Sequence, residues 1–208
     1  MSYGVMKEGA RGLGPCVLEG ARVRLEPLRK SHAKPLLKSV RDSDTSLLRV
    51  DLRDEREMRR WIAEALEAGK AGSECPFVVH STTLGRVVGS TRYMDVREAQ
   101  RGVEIGWTWY EKRVWGTVVN PECKYLLLRH AFRDWGAVRV QLKTDDRNVH
   151  SQRAILKLGA KYEGRLRNHR IRRDGSVGDS MMYSITSEEW NGGLGRRLLA
   201  RIRASTPP

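Results

Sequence analysis

Residues 115–132 constrain the fold most, because they predict a strand end, a glycine-containing turn and a helix in direct succession. Asn120 suits the N-cap position of that helix, and Pro121 suits its first helical position. Backbone N–H groups at such a junction have no intrahelical partner, and the helix dipole adds partial positive charge there. The sequence therefore predicts a turn that can bind a phosphate group.

The charge balance of the chain is strongly basic. Its 208 residues, enough for one domain with an adequate core, include 39 Lys and Arg against 25 Asp and Glu, a formal net charge of +14. Such a balance favours anionic partners, whether nucleic acid, an acidic protein surface or a polyphosphate cofactor. A solvated basic surface without any single partner is the alternative, because net charge governs association and not fold.

The cysteine and histidine residues give no sign of a metal site. Cys16, Cys75 and Cys123 are far apart and odd in number, so we expect neither a zinc site nor a disulfide framework. The five His residues also lack metal-ligand spacing. We therefore expect reduced thiols in a cytoplasmic protein that binds no metal.

The sequence indicates neither membrane insertion nor secretion. No apolar run approaches the roughly 20 residues that span a bilayer. Residues 1–15 contain no apolar segment of the kind found in signal peptides. We expect a flexible N-terminal tail over these residues and no membrane partner.

Hydrophobic patterns predict strands first and then helices interleaved with strands, as in a mixed sheet with flanking helices. The predicted strands cover residues 21–28, 76–80, 86–93, 102–110, 137–143, 162–172 and 179–185. The predicted helices cover residues 31–40, 54–68, 121–134, 149–158 and 194–202. In the clearest strand, alternation predicts that one face carries Val103, Ile105, Trp107 and Trp109, and the other Glu104, Gly106, Thr108 and Tyr110.

Three segments of the chain, taken together and in order, resemble a known family. They are residues 18–28, residues 88–93 with 103–108, and residues 124–132 continuing through 148–164. These segments resemble the GNAT N-acetyltransferases, specifically the Rim-type (RimJ/RimL-like) branch, across most of the chain.

The resemblance implies an α+β fold with a central mixed, mostly antiparallel twisted sheet, splayed central strands and flanking helices. It implies a GNAT domain over residues 16–192, after the tail of residues 1–15. Residues 193–208 would then form a basic C-terminal tail or a short helix.

The resemblance also implies acetyl-CoA as co-substrate. In the family, the pantetheine arm lies between the strands equivalent to 102–110 and 137–143, and the pyrophosphate lies on the turn before the next helix. Asn148 is equally well suited to an ordinary helix N-cap. The implied cofactor-binding residues are Trp107, Thr108, Trp109, Trp115, Gly116, Thr117, Val118, Val119, Asn120, Asn148 and Arg153.

The phosphate turn departs from the family pattern, which reads Q/R-x-x-G-x-G/A. Trp115 stands at the Gln/Arg position, Val118 at the first Gly and Asn120 at the final small residue, which leaves Gly116 as the glycine of the turn. Glycine lets the backbone approach a phosphate and adopt positive φ, and valine does neither readily. The turn therefore either binds CoA with altered geometry or does not bind it.

Three residues are candidates for the chemistry. Family resemblance suggests that Glu104 takes the proton of the acceptor amine, and the alternative is a structural ion pair with an Arg. Ser151 would donate a proton to the leaving thiolate, unless its hydroxyl only bonds the backbone of its helix. Tyr110 is a second candidate for that acid, although Tyr at a strand end more often packs.

The function implied is acetyl-CoA-dependent N-acyl transfer to a primary amine, by direct attack on the thioester; the amine is a protein N-terminus, a lysine or a small molecule. The alternative is a catalytically weakened GNAT scaffold that binds nucleic acid or ribosomal partners by charge. A homodimer is compatible with either. Residues 165–173 contain five Arg, for which we predict either a clamp for an acidic protein or RNA or a solvated edge strand. They are Arg165, Arg167, Arg170, Arg172 and Arg173.

Overall fold

The computed structural model describes residues 12–205, apart from residues 47 and 49. Most of the predicted N-terminal tail, residues 1–11, lies outside the described residues, as do residues 206–208. Within the described part of the chain, no helix combines the length and the apolar composition that crossing a membrane requires.

The described residues contain eight strands in a single sheet. The strands are β1 (Leu18–Glu19), β2 (Val23–Pro27), β3 (Cys75–Ser81), β4 (Arg86–Arg97), β5 (Gly102–Tyr110), β6 (Arg139–Asp145), β7 (Lys161–Ile171) and β8 (Val177–Thr186). Their order in the sheet is β1-β2-β3-β4-β5-β6-β8-β7, and β5 and β6 are the parallel pair among otherwise antiparallel neighbours. The predicted α+β class, with a mixed and mostly antiparallel sheet, is confirmed.

The helices follow local sequence signals closely. The Asp54 side chain accepts a hydrogen bond from Glu57 N–H and so caps the second helix, which is predicted to begin at residue 54. The third and fifth helices each continue into a π-helical turn, His130–Trp135 and Trp190–Leu194. The helices are α1 (Ala33–Val40), α2 (Glu55–Lys70), α3 (Val119–Arg129), α4 (Val149–Lys157), α5 (Ser187–Glu189) and α6 (Gly195–Ala204).

The start of α3 differs from the prediction that Asn120 caps it. Val118 is the N-cap residue and provides no side-chain cap, so Asn120 and Pro121 both lie inside the first turn. Thr117 Oγ1 supports this earlier start, because it accepts from Val119 N–H and donates to Val114 O. Proline is tolerated throughout the first turn of a helix, because the N–H groups there have no intrahelical partner. The position of Pro121 therefore does not fix the first residue of α3.

Helices cover both faces of the sheet. One core packs α3, with Leu127 and Leu128 fully buried, against the central strands. Leu198 and Ile202 of α6 join the same core, so this part of the predicted C-terminal tail is a packed helix. A second core lies between α1, α2 and the other face of the sheet, and contains Leu36, Met58, Trp61, Ile62, Val78 and Trp109.

A β-bulge in β5 overturns the predicted face alternation. The pairing with β4 passes from Arg92↔Gly106 to Ser90↔Trp109, so two residues of β5 stand opposite one residue of β4. Trp107 adopts a φ of 47° at this point. As a result Ile105 faces the first core and Trp109 the second, and the prediction that they share a face is wrong.

The bulge is held by contacts from distant parts of the chain. The buried Arg92 guanidinium lies 4.7 Å from the ring centroid of Trp61 and 5.2 Å from that of Trp107. The same guanidinium forms an ion pair with Glu74 at 2.5 Å. Positive φ is costly for a bulky residue, and such a residue persists only where surrounding contacts over-determine it.

The parallel strands β5 and β6 separate after a short paired stretch. Their pairing begins at Gly102↔Arg139 and ends at Glu104↔Gln141. Beyond this point β5 continues to Tyr110 and β6 to Asp145 without pairing to each other. We call the gap between the two diverging strands the cleft.

Candidate functional site

Glu104 lies at the apex of the cleft, in the last residue pair before β5 and β6 diverge. It is only 3% exposed. Gln141 Nε2 donates to Glu104 Oε2 at 2.9 Å, and Lys143 Nζ lies 3.2 Å from the same oxygen. The cation that partners this carboxylate is therefore a lysine of β6, and not the arginine of the structural alternative.

Gln141 also connects Glu104 to the end of β4. Its Nε2 lies 3.4 Å from Asp95 Oδ2, and its Oε1 accepts from Arg97 Nη2 at 3.3 Å. These contacts fix the orientation of the amide that donates to Glu104. Sequence reasoning missed Gln141 and Lys143; their alternation with the buried Val140 and Leu142 was the signal that both point to one face.

The turn between β5 and α3 presents backbone N–H groups, as the sequence predicts. Within the described residues, the N–H groups of Gly116 and Val118 form no hydrogen bond to the protein. Gly116 has a φ of 74° and open space where a Cβ would be. Val118 has a φ of −71°, so the positive φ of this turn is taken by Gly116 and the valine is unstrained.

The first turn of α4 lies at the same end of the cleft, since it follows the parallel strand β6. Asn148 Oδ1 accepts from Ser151 N–H at 3.0 Å, which confirms Asn148 as the helix N-cap. The rings of Trp115 and His150 stack with centroids 5.0 Å apart, which joins this helix to the phosphate turn. The Ser151 side chain is half-buried, whereas Arg153 is exposed.

Tyr110 is enclosed by the first core. Its hydroxyl is buried, and burial raises its pKa well above the ordinary value. The neighbouring Cys123 thiol adds to this rise in pKa. A hydroxyl enclosed in this way is poorly placed to protonate a thiolate in an open cleft, so the geometry favours packing as the role of Tyr110.

The three remaining predicted positions on β5 differ in their surroundings. Trp109 is buried in the second core, and Trp107 is half-buried beside Arg92. Thr108 Oγ1 lies 2.8 Å from Thr91 Oγ1 of β4 and accepts a hydrogen bond from Lys124 of α3. All three residues belong to the stretch of β5 that is not paired to β6.

A buried lysine that the sequence analysis overlooked lies beside Thr108. Lys124 Nζ donates to Thr108 Oγ1 at 2.5 Å and to Thr91 Oγ1 at 3.4 Å. No carboxylate of the described residues forms an ion pair with it. Burial lowers the pKa of Lys124 to about 8. Its occurrence among the apolar residues of α3 was the sequence signal.

Four of the five arginines in the arginine-rich hairpin form ion pairs within the chain, mostly with carboxylates outside the hairpin. This pairing supports the solvated edge strand more than the clamp, because little unpaired positive charge is left for a partner. Arg167 is the member without an ion pair among the described residues. The intramolecular ion pairs join Arg165 to Asp146 and Asp179, Arg170 and Arg172 to Asp145, and Arg173 to Asp51.

One group of side chains has the spacing of metal ligands. A ligand atom from each of Glu26, His32 and His80 lies within 4.8 Å of the others. His32 Nδ1 already accepts from Arg29 N–H at 3.1 Å, which occupies one nitrogen of that ring. The expectation that the protein binds no metal stays a prediction.

Comparison with known proteins agrees with this geometry. The sequence profile of the acetyltransferase (GNAT) domain matches residues 22–161. No curated protein matches the chain.

Several solved structures share the fold over nearly the whole chain. An acetyltransferase from T. thermophilus is 36% identical, with a TM-score of 0.77 over 90% of this chain and 97% of that one. A GCN5-related N-acetyltransferase from Brucella melitensis is 23% identical, with a TM-score of 0.84 over 95% and 90%. Mycobacterium smegmatis RimJ, solved with CoA-disulfide, is 21% identical, with a TM-score of 0.76 over 90% and 95%.

Proposed function

The chain belongs to the GNAT acetyltransferase family, and from that premise we propose that it transfers an acetyl group from acetyl-CoA to a primary amine. The acceptor is a protein N-terminus, a lysine or a small amine. One observation carries the proposal: a buried carboxylate, Glu104, lies where the two parallel strands diverge. The cleft that opens there ends at a turn with unbonded N–H groups.

The residues present fit an acyl-CoA. The N–H groups of Gly116, Val118 and Asn120 offer donors to a pyrophosphate. The unpaired edge of β5 beyond Glu104 offers backbone groups to the pantetheine arm. Bound acyl-CoA would supply the activated thioester carbonyl that the amine attacks.

The role of Glu104 is to accept the proton that an ammonium group must lose before it can attack a carbonyl. Lys143 and Gln141 hold the carboxylate in one orientation, which keeps it within reach of an amine at the apex. Backbone N–H groups of β5 stabilise the developing oxyanion. The Ser151 hydroxyl, in the first turn of α4, donates a proton to the leaving thiolate.

The setting we propose is the cytoplasm, where the free thiols of Cys16, Cys75 and Cys123 stay reduced. We do not adopt the alternative of a nucleic-acid-binding scaffold, because the hairpin arginines are largely paired within the chain. Strongly salt-dependent RNA binding without acyl-CoA binding would reverse that choice.

Calorimetric titration with acetyl-CoA, followed by a transfer assay on a peptide N-terminus, a lysine peptide and a polyamine, tests the proposal. We expect saturable binding, and thermal stabilisation of roughly 2.7 kcal/mol at 100 times the dissociation constant. Transfer to at least one acceptor class should accompany it. Absence of binding at millimolar acetyl-CoA would sink the proposal.

A further inference from the structure

The contacts of Lys124 with the protein do not offset the free energy of desolvating its ammonium group. Lys124 is 5% exposed, and its contacts are two neutral hydroxyls, those of Thr91 and Thr108. A lysine ammonium has three N–H donors, so one donor has no partner in the described residues. Buried charges in proteins are normally paired, and an unpaired one calls for an explanation.

Asn120 has an unused hydrogen-bond acceptor, where Lys124 has an unused donor. Its Oδ1 is buried and accepts no hydrogen bond from residues 12–205, apart from the undescribed 47 and 49. Asn120 and Lys124 are four residues apart in α3, so they lie on the same face of the helix one turn apart. This face therefore presents one unused donor and one unused acceptor as neighbours.

The unused donor and the unused acceptor together determine which kind of ligand group can bind there. An anion such as phosphate or carboxylate would satisfy Lys124 but would bring negative oxygen towards the unbonded oxygen of Asn120. A cation would satisfy Asn120 and repel Lys124. A secondary amide satisfies both, because its carbonyl oxygen accepts and its N–H donates.

Lys124 and Asn120 both lie next to elements that border the cleft. Lys124 Nζ contacts Thr108, which is partly exposed on the stretch of β5 beyond its separation from β6. Asn120 lies in the first turn of α3, next to the phosphate turn. An acyl-CoA with its pyrophosphate on that turn would extend a chain with two secondary amides along this region.

We propose that Lys124 and Asn120 form a subsite for one amide of the pantetheine arm, with Lys124 donating to the carbonyl oxygen and Asn120 accepting from the N–H. This inference rests on the proposed function. Under this proposal α3 would bind acyl-CoA through side chains as well as through the backbone groups at its N-terminus. The proposed contact also gives the remaining N–H donor of Lys124 an acceptor.

Two ligands separate this subsite from a pyrophosphate site. Acetyl-CoA carries both groups, and 3′-phosphoadenosine 5′-diphosphate carries the pyrophosphate without pantetheine. Calorimetry should show that Lys124→Met weakens acetyl-CoA binding about 10- to 100-fold, as expected for one charged hydrogen bond. Asn120→Leu should weaken it about 3- to 10-fold, as expected for a neutral one. Both variants should bind the nucleotide as the wild type does.

The controls address charge and folding. Lys112→Met removes one positive charge from an exposed position near the same turn and should leave both affinities unchanged. Lys124→Gln keeps an N–H donor and should recover part of the affinity lost in Lys124→Met. Thermal unfolding at the same pH establishes that each variant is folded.

The other outcomes overturn the inference in distinct ways. Equal losses for both ligands would make Lys124 an anion-binding residue. Unchanged affinities in variants that fold like the wild type would mean that water satisfies Lys124 and Asn120. The proposed function would still be supported by the binding and transfer that the wild type shows. Failure of the wild type to bind acetyl-CoA would defeat the proposed function and this inference together.

Discussion

The indole ring of Trp115 stacks on the imidazole ring of His150, with centroids 5.0 Å apart and planes inclined by 21°. Trp115 Nε1 also donates to Tyr110 O at 3.0 Å. The stack thus connects the turn that follows β5 to the helix that follows β6. It lies at the end of the cleft where we place the pyrophosphate.

A ligand entering at this end should change the environment of Trp115. We expect acetyl-CoA to shift or quench tryptophan fluorescence in the wild type, and Trp115→Phe to lose most of that change. His150→Ala should alter the emission of the free protein, because it removes the stacked ring. An identical ligand-induced change in wild type and Trp115→Phe would place the ligand elsewhere.

Glu104→Gln tests the proton acceptor. We expect turnover to fall by about 10²- to 10⁴-fold, the usual contribution of a general base. The loss should be largest at low pH, where the amine is protonated, and acetyl-CoA affinity should stay unchanged. Steady-state rates across pH and calorimetry measure the two effects. Glu98→Gln, at an exposed position just before β5, is the matched control and should behave as the wild type.

Ser151→Ala tests the proton donor to the thiolate. We expect turnover to fall roughly tenfold or more with intact acetyl-CoA binding, because only a donor that acts during the reaction is removed. Asn148→Ala provides the contrast, since loss of the cap should cost about 1 kcal/mol of stability. Full turnover in folded Ser151→Ala would transfer the proton donation to water.

Lys124→Met should stabilise the protein at neutral pH. Burial lowers the pKa of Lys124 to about 8, so between about pH 8 and the ordinary lysine value the unfolded chain holds a proton that the folded protein has lost. Stability of the wild type therefore rises with pH across this window. Below about pH 8 the buried charge costs up to about 3 kcal/mol.

Denaturant unfolding of both proteins at pH 7 and pH 9.5 measures this effect. The advantage of Lys124→Met should be largest at pH 7 and shrink at pH 9.5, because the wild-type amine is then mostly neutral. Other titrating groups are shared and cancel in the difference. A difference of equal size at both pH values would contradict a desolvated Lys124.

Arg172→Met should destabilise the protein, because it removes one of the two arginines that pair with the buried carboxylate of Asp145, the other being Arg170. Burial alone would raise the pKa of Asp145, but hydrogen bonds from Arg172 and the Arg147 N–H lower it. The stability from this pair is therefore lost as pH falls through the folded pKa. Arg167→Met should change stability by less than about 0.5 kcal/mol. Equal effects in thermal unfolding would refute the structural role of Arg172.

The sequence determined the features that depend on neighbours along the chain. Alternation located β5, and the side chain of Asn148 identified the start of α4, because an N-cap bonds an N–H only a few residues away. The three segments that resemble the family predicted the mixed, mostly antiparallel sheet and Glu104 as a candidate. The catalytic and cofactor roles of the named residues stay predictions.

Tertiary contacts decided what local pattern leaves open. The bulge at Trp107 reverses the faces of β5, and it is held by Arg92 and Trp61, which are distant in sequence. The setting of Lys124 depends on Thr91 and Thr108 from two other strands. Neither feature has a periodic signature, because each depends on packing between elements whose contacts form only when the chain is folded.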